Sequence, residues 1–214
     1  MQGLQIQAKT PNLLLVLVAA LLAFTLAACA TRGQGSSIHY DLGPMPNHQE
    51  SQPLLSGAPP FLLTEVHATY WLDNTMMHYR LAYANDQQTR SYANSRWNMP
   101  PANLFEQRLK ARISAAGGTV LPAMDGAREG ILLRLELDDF SQQFDAADRS
   151  VVQVSLRLSA FKGRTLLGQK TFRQTSPAPS ADAVGGARAL AVATDTLIAD
   201  AMAWLAGMQP RTND

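Results

Sequence analysis

The sequence is poor in cysteine and has a net charge close to zero. Each of these two features excludes a class of protein. Its 214 residues include one cysteine, which excludes an intramolecular disulfide and a zinc or iron–sulfur site built from cysteines. Lysine and arginine number 18 against 17 acidic residues. The chain therefore lacks the sustained positive charge with which nucleic-acid-binding proteins neutralise phosphates, and we expect no nucleic-acid partner.

Signatures of catalysis are missing as well. The sequence contains no Walker motif, no G-x-S-x-G and no H-E-x-x-H. His39 and His48 lie in a segment rich in proline, glycine and serine, whereas His67 and His78 lie in predicted strands. His67 and His78 could face each other across a hairpin and form a site with Glu65, although ordinary strand histidines are the simpler interpretation. We expect no enzymatic activity, no metal and no non-covalent cofactor.

The first 28 residues have the three parts of a secretory signal peptide. Lys9 is their only charge, and a mostly apolar run from Leu13 to Ala28 ends in small residues. This run is 16 residues long, which is short of the ~20 residues that a membrane-spanning helix needs. We therefore predict that residues 1–28 are a signal peptide that does not contribute to the fold.

The single cysteine directly follows this apolar run. Leu26-Ala27-Ala28-Cys29 resembles the bacterial lipobox, in which an aliphatic and two small residues precede the cysteine that becomes the lipidated N-terminus. We predict a diacylglycerol thioether and an acyl chain such as palmitate on Cys29, because several acyl chains together anchor a protein stably. An ordinary secreted protein with a chance cysteine is the alternative. Ala30 in place of aspartate resembles a sorting signal for the outer membrane, facing the periplasm.

Composition divides the rest of the chain into a tether and a domain. Residues 29–60 are rich in glycine, proline and serine, which predicts a flexible tether interrupted by one short apolar element at Ile38–Leu42. Fully extended, this tether would reach about 100 Å. We predict a single α/β domain at 61–208 and a disordered tail at 209–214.

In the first half of the domain, hydrophobic patterning predicts two strands and a helix. Strands at 61–70 and 75–84 are expected to form a hairpin around a turn at 71–74, and a short third strand is possible at 90–93. Proline residues at 100–101 open a helix whose apolar positions follow helical spacing until a glycine pair ends it. Those positions are Leu104, Phe105, Arg108, Leu109, Arg112, Ile113 and Ala116.

In the second half, alternating patterns predict three strands and a final helix. The strands are expected at 130–140, 150–161 and 165–173, with a polar hairpin loop between the first two. Ser180 is the predicted N-cap of the last helix, although two glycines favour a start nearer Ala187. The element order β-β-(β)-α-β-β-β-α predicts an α/β fold: a mixed sheet of about five to six strands with two main helices.

Large aromatic and methionine side chains cluster in the region from residue 70 to residue 99. Successive strand residues point to opposite faces of a sheet, so some of these aromatic and methionine side chains must lie on the face away from the first helix. That face either exposes apolar groups, as a binding surface does, or is covered by the second helix. The candidate partner-docking face consists of Tyr70, Trp71, Tyr79, Tyr83 and Trp97.

The motifs between Tyr70 and Phe105 resemble those of the ABC-type transport auxiliary lipoprotein family. They read W-L-D-N-x-x-x-x-Y-R and then Y-A-N-S-R-W-N-M-P-P-A-N-L-F, which contains a W-x-x-P helix start at Trp97–Pro100. The Y-x-L of that family corresponds to Tyr40-Asp41-Leu42. The resemblance covers nearly the whole mature chain, and its strength comes from the order of the motifs behind a lipobox.

The resemblance implies both a fold and a function. The family fold is an α/β sandwich similar to the N-terminal domain of the Tol translocation protein. Family members, including the lipoprotein of the paraquat-inducible system, are non-catalytic subunits of ABC-type systems that move lipids between the inner and outer membranes. The expected partners are a mammalian-cell-entry-type periplasmic protein and the ABC permease and ATPase, and a homo-oligomer is also open.

The mechanism implied by this resemblance is docking. The lipid on Cys29 would hold the domain at the outer membrane, and the tether would let it dock an envelope-spanning lipid conduit. Two alternatives remain from the sequence: a protein that itself carries lipid between sheet and helices, and a structural or assembly-factor lipoprotein of the outer membrane or cell wall that is unrelated to transport.

Overall fold

The computed structural model describes residues 36–45, 54–125 and 129–208. The predicted signal peptide, the lipobox with Cys29 and the tail at 209–214 lie outside these residues. Two short 3-10 helices are present at Tyr70–Leu72 and Ala123–Asp125. The described strands and α-helices are β1 (Ile38–Tyr40), β2 (Phe61–Leu63), β3 (His67–Ala68), β4 (Met76–Leu81), β5 (Asn85–Trp97), α1 (Pro101–Ala115), β6 (Val120–Pro122), β7 (Ile131–Ala146), β8 (Arg149–Lys162), β9 (Thr165–Pro177) and α2 (Ala183–Gly207).

The nine described strands form one mixed sheet around β7. On one side of β7, β8 pairs with it in antiparallel orientation, and β9 pairs with β8 in the same way. On the other side, β2, β3 and β4 follow one another along β7, each parallel to it. Beyond them, β5 is antiparallel to β4, β1 is parallel to β5, and β6 is parallel to β2.

Both helices lie on one face of this sheet, and the core lies between the two layers. On β7, Leu133, Leu135 and Leu137 are fully buried, whereas Arg134 and Glu136 between them are exposed on the opposite face. α2 packs on β8 and β9 and contacts α1. The α/β class and the two main helices are therefore confirmed. The sheet has more strands than expected, because strands of two or three residues are too short to show a periodicity.

The predicted apolar stripe of α1 is confirmed, and α1 begins and ends where the proline and glycine pairs indicate. The predicted N-cap of α2 is wrong. Asp182 caps this helix by accepting a hydrogen bond from the backbone N–H of Gly185 (2.7 Å), and Ser180 instead donates its hydroxyl to Asp182 (2.7 Å). α2 is long and apolar enough to cross a membrane by length and composition alone, but its apolar stripe is buried in the core of this domain.

The predicted domain boundary at Phe61 is too late. Ile38–Tyr40 forms strand β1, and Leu42 and Leu55 belong to the hydrophobic core, where they are 6% and 1% exposed. These short apolar pieces, separated by prolines and glycines, have no periodicity of their own. Their contacts with β5 and the helices place them in the folded unit, which extends back to Ser37.

Two predicted loops and one predicted hairpin are also wrong. Residues 61–70 and 75–84 do not pair with each other, because their strands run in the same direction along β7. Residues 85–88, which lie between the strands expected at 75–84 and 90–93, belong to β5. In place of the expected polar loop after β7, the structure has the two-residue turn Ala147-Asp148, because β7 continues to Ala146.

Candidate functional site

The five predicted docking residues lie in different environments. Tyr70 and Trp71 lie on the sheet face away from the helices. Tyr79 lies on the face that the helices cover, and Tyr83 lies at the exposed turn between β4 and β5. Trp97 is a correction, because it is 1% exposed and cannot contact a partner. The structure therefore does not bring these residues together into one docking face.

Trp97 is part of the core. Its ring packs edge-on against Phe140 with 5.4 Å between the ring centroids. Its backbone N–H donates to the carbonyl of Thr75 (2.8 Å), which fixes the last residue of β5 just before α1. The W-x-x-P motif is thus a structural element that joins the sheet to the helix.

Tyr70 and Trp71 form an aromatic knob on the open face of the sheet. Leu72, the next residue in the same 3-10 helix, is fully buried and anchors the knob, whereas Tyr70 is 96% exposed. Trp71 packs edge-on against His78 at 5.2 Å, and the guanidinium of Arg80 lies 5.6 Å from the Trp71 ring centroid. An aromatic side chain that is exposed on a fixed backbone is a common feature of protein interfaces.

The turn after the knob is also fixed by hydrogen bonds. The Asn74 side-chain nitrogen donates to the carbonyl of Trp71 (2.9 Å), and its oxygen accepts from the backbone N–H of Met76 (2.8 Å). Asparagine at this position therefore closes the turn between the 3-10 helix and β4. The knob is thereby held rigidly against the sheet, which lowers the entropic cost of binding a partner.

A polar strip lies beside the knob on the same open face. Arg157 forms ion pairs with Glu136 and with Asp138 (3.6 Å) across β7 and β8. Asp139 accepts hydrogen bonds from the Ser141 hydroxyl (2.6 Å) and the Gln153 amide (3.2 Å). Burial raises the pKa of the Asp139 carboxyl, although Ser141 and the positive charge of Arg80 act in the opposite direction. The open face is therefore polar, with the knob as its aromatic part.

His67 and His78 do not form the site considered from the sequence. β3 and β4 lie one after the other along β7, so the two histidines are not cross-strand partners. His67 pairs in register with Glu136, whereas His78 packs against Trp71. Burial lowers the pKa of His78. In the part of the chain that the structure describes, no group of three acidic, histidine or cysteine residues could hold a metal ion.

Tyr79 belongs to a polar and aromatic cluster under the start of α2. Its ring lies 4.7 Å from that of Tyr92 and 5.7 Å from that of Phe144. The Tyr92 hydroxyl donates to the Gln142 side-chain oxygen (2.9 Å), and the Gln142 amide donates to the Ser150 hydroxyl (2.8 Å). Burial raises the pKa of Tyr92 well above its usual range. This cluster supports the fold, because its polar groups satisfy one another.

Arg108 joins both helices to the N-terminal segment of the domain. Its buried guanidinium donates to the carbonyls of Leu42 and Gly43 (3.1 Å to Gly43) and forms a 3.5 Å ion pair with Asp195 of α2. The sequence placed Arg108 on the apolar stripe of α1 but did not reveal what it binds. An arginine inside an apolar stripe is the sequence signal that could have predicted a buried partner.

Open clefts lie on both sides of the segment that Arg108 holds. One, with a volume of about 370 Å³, lies between residues 39–43 and the first half of α2. The other, about 200 Å³, lies between residues 41–45 and α1. By contrast, the space between the sheet and α2 is filled by fully buried side chains such as Leu156, Leu158 and Leu197. An acyl chain could enter that space only by displacing the core.

Comparison with known proteins identifies a matching family and two solved structures with a similar fold. A family model described as the ABC-type transport auxiliary lipoprotein component matches residues 40–203. The fold is similar to that of protein XCC0632 from Xanthomonas campestris, with a TM-score of 0.69, 15% identity, and coverage of 80% of this chain and 96% of that one. A second solved structure, of an uncharacterized protein, matches with a TM-score of 0.62 and 14% identity over 79% of this chain and 99% of that one. No curated protein matches the sequence.

Proposed function

The chain belongs to the ABC-type transport auxiliary lipoprotein family, and from this premise we propose that it is the non-catalytic, lipid-anchored subunit of an ABC-type system that moves lipids between the inner and outer membranes. The match over residues 40–203 carries the proposal, because it covers almost the entire described domain. The L-A-A-C sequence ending at Cys29 supports the lipid anchor. Ala30 supports outer-membrane sorting, with the domain in the periplasm.

The proposed partners are a mammalian-cell-entry-type protein and the ABC permease and ATPase that work with it. The aromatic knob supports a docking role, since the exposed Tyr70 and the half-buried Trp71 are held on a rigid backbone. The polar strip beside it gives the open face charges of both signs, which favours a protein partner of defined shape. We assign docking to this knob, in place of the five-residue face expected from the sequence.

Site-specific crosslinking tests this assignment. A photo-crosslinking amino acid replaces Tyr70 in one variant and Met124 in another, since these side chains are 96% and 97% exposed and both lie in 3-10 helices. The Tyr70 variant is expected to crosslink a mammalian-cell-entry-type protein in the cell envelope at several times the yield of the Met124 variant. Equal yields, or crosslinks to that protein from residue 124 only, would show that the knob is not the docking surface.

A charge substitution gives a second readout of the same surface. Trp71→Glu removes the ring that packs on His78 and Arg80, whereas Met124→Glu adds the same charge elsewhere. Only Trp71→Glu is expected to reduce recovery of the partner by at least tenfold, because aromatic anchors carry much of the binding energy of an interface. Circular dichroism of both variants checks that the domain remains folded.

A further inference from the structure

Strand β9 forms one lateral edge of the sheet, and β8 is its only partner among the described strands. It is 13 residues long, and its pairing with β8 shows no register shift between Gly168 and Pro177. Edge strands are usually short, bulged or covered by another element, which prevents a further strand from pairing with them. Alternate residues of β9 direct their backbone N–H and C=O groups away from β8, so a regular row of these groups is open to pairing.

A cleft of about 430 Å³ lies beside this edge, between β9 and the second half of α2. Trp204 of α2 packs edge-on against Phe172 of β9 with 5.9 Å between the ring centroids, and the Trp204 side chain is only partly buried. Gly168 allows this close approach, because a Cβ at that position would lie 3.2 Å from the Trp204 ring. The cleft therefore offers an aromatic surface to the side chains of a strand that pairs with β9.

The charged residues of β9 are all positive. Lys170 and Arg173 are exposed, and the strand contains no acidic residue. The Lys170 ammonium lies 4.9 Å from the Phe172 ring centroid, and neither cation forms an ion pair with another residue in the described ranges. Asp200, which also lines the cleft, already accepts a hydrogen bond from Gln174 (2.7 Å). The edge therefore attracts carboxylates.

This charge indicates which kind of chain fits the edge. Two copies of β9 side by side would bring positive charges together, and like charges on paired strands destabilise a sheet. An extended segment that carries carboxylates instead gains ion pairs in addition to main-chain hydrogen bonds. The charge thus disfavours a second copy of this chain and favours an acidic segment of another protein.

We propose that β9 binds an extended acidic segment of a partner protein, which joins the sheet as a further strand. Main-chain hydrogen bonds along β9 hold the segment, and alternate side chains give selectivity. Apolar side chains on one face of the segment enter the cleft beside Trp204, and carboxylates on its other face lie near Arg173. β9 lies on the opposite side of β7 from the aromatic knob, so this inference does not depend on the docking assigned to the knob.

Peptide binding to the full-length protein tests the inference. The probe is the blocked peptide Glu-Val-Glu-Leu-Glu-Val-Glu, which as a strand has its carboxylates on one face and its apolar side chains on the other. A second peptide with lysine in place of every glutamate controls for charge. Two further versions of the acidic peptide carry N-methyl groups on alternate backbone nitrogens, so each blocks one edge of the peptide and keeps its charge. Fluorescence anisotropy of labelled peptides measures the affinities.

The acidic peptide is expected to bind about tenfold more tightly than the lysine peptide, or better. One N-methylated version, and not the other, should lose about tenfold in affinity, because only one edge of the peptide faces β9. Hydrogen exchange of the amides in Thr165–Pro177 should slow several-fold when the acidic peptide is added, whereas exchange in β5 should not change.

Charge reversal on the protein gives a matched pair of variants. The double variant Lys170→Glu with Arg173→Glu is expected to prefer the lysine peptide, because its edge is then acidic. Arg90→Glu reverses an exposed charge on β5, at the other side of the sheet, and should keep the preference for the acidic peptide. The same preference in all three proteins would show that the peptide does not bind at β9.

Three other results would overturn the inference. Binding that neither N-methylated version weakens would show charge attraction without the addition of a strand. Absence of binding, or slowed exchange only outside β9, would show that this edge does not accept an acidic strand. A concentration-dependent dimer with protected β9 amides in the absence of peptide would show that a second copy occupies the edge. Because these mixtures contain no transport component, none of these results bears on the proposed transport role.

Discussion

Single residues determine whether the N-terminal end of the domain stays attached to the helices. Arg108 is the clearest case, because one guanidinium binds two carbonyls of the entering segment and the carboxylate of Asp195. The helical spacing of α1 predicted that this arginine faces inwards. Its partners could not be predicted, since Leu42 and Asp195 are far from it in sequence and the bonds depend on the tertiary fold.

Replacing Arg108 tests this junction. Arg108→Met keeps most of the side-chain volume but removes the charge and every donor, so we expect a loss of about 3 kcal/mol in the free energy of unfolding. The half-buried pair of Lys110 with Glu106 on the same helix provides the control, and Lys110→Met is expected to cost about 1 kcal/mol or less. Chemical denaturation of the two variants measures both values. Similar costs would mean that Arg108 does not hold the N-terminal segment.

Asp182 gives a pH-dependent prediction at the start of α2. The backbone N–H of Gly185 and the hydroxyl of Ser180 bind its carboxylate and lower its pKa. Because the folded-state pKa is below the unfolded value, this stabilisation is present above the unfolded pKa near 4 and is lost as the pH falls through the folded pKa. Asp182→Ala is therefore expected to cost about 1 kcal/mol at pH 7.

Urea denaturation at pH 7 and below pH 3 measures this dependence. The cost of Asp182→Ala should shrink as the pH falls through the folded-state pKa, because the protonated carboxyl loses its charge-assisted hydrogen bonds. Asp182→Asn is the control, because asparagine also caps a helix but does not titrate, and it should cost only a few tenths of a kcal/mol at pH 7. A cost for Asp182→Ala that is the same at both pH values would contradict the assignment of the cap.

At the scale of secondary-structure elements, the sequence predicted the helices and the central strands better than it predicted which strands pair with each other. α1 was located because proline and glycine pairs mark its ends. The supposed hairpin of residues 61–84 was wrong because periodicity indicates a strand but not its partner, and the partner here is β7, more than fifty residues away. The glycines that seemed to weaken α2 are required by close packing, which no pattern within the helix reveals.

Alanine substitutions of glycines at the two ends of α2 test whether close packing requires them. A Cβ at Gly186 would lie 2.1 Å from the buried Gln142 oxygen that accepts the Tyr92 hydrogen bond, so Gly186→Ala is expected to destabilise the protein by about 2 kcal/mol. At Gly207 a Cβ would meet nothing within 4 Å, and Gly207→Ala should be neutral or stabilise by up to about 1 kcal/mol. Thermal melts of both variants measure the effects; destabilisation at residue 207 alone would contradict this account.

At the scale of the whole molecule, the structure replaces a long tether with a short one. The sequence indicated a reach of about 100 Å from Cys29, but β1 and Leu42 bring the folded domain to within nine residues of that cysteine. With the proposed lipid on Cys29, the domain would be held near its membrane, and the aromatic knob lies on an open face of the sheet. Under this proposal, a partner that connects the two membranes would have to reach the lipoprotein, because only eight residues lie between Cys29 and Ile38.

Affinity purification of the full-length protein from gently crosslinked cell envelopes tests the central claim most directly. Mass spectrometry of the co-purifying proteins is expected to identify a mammalian-cell-entry-type protein together with an ABC permease and ATPase. The Cys29→Ser variant, which cannot carry the proposed lipid anchor, should recover them at much lower yield. Recovery of outer-membrane assembly or cell-wall proteins in place of the transport components would contradict the account and would indicate a structural lipoprotein.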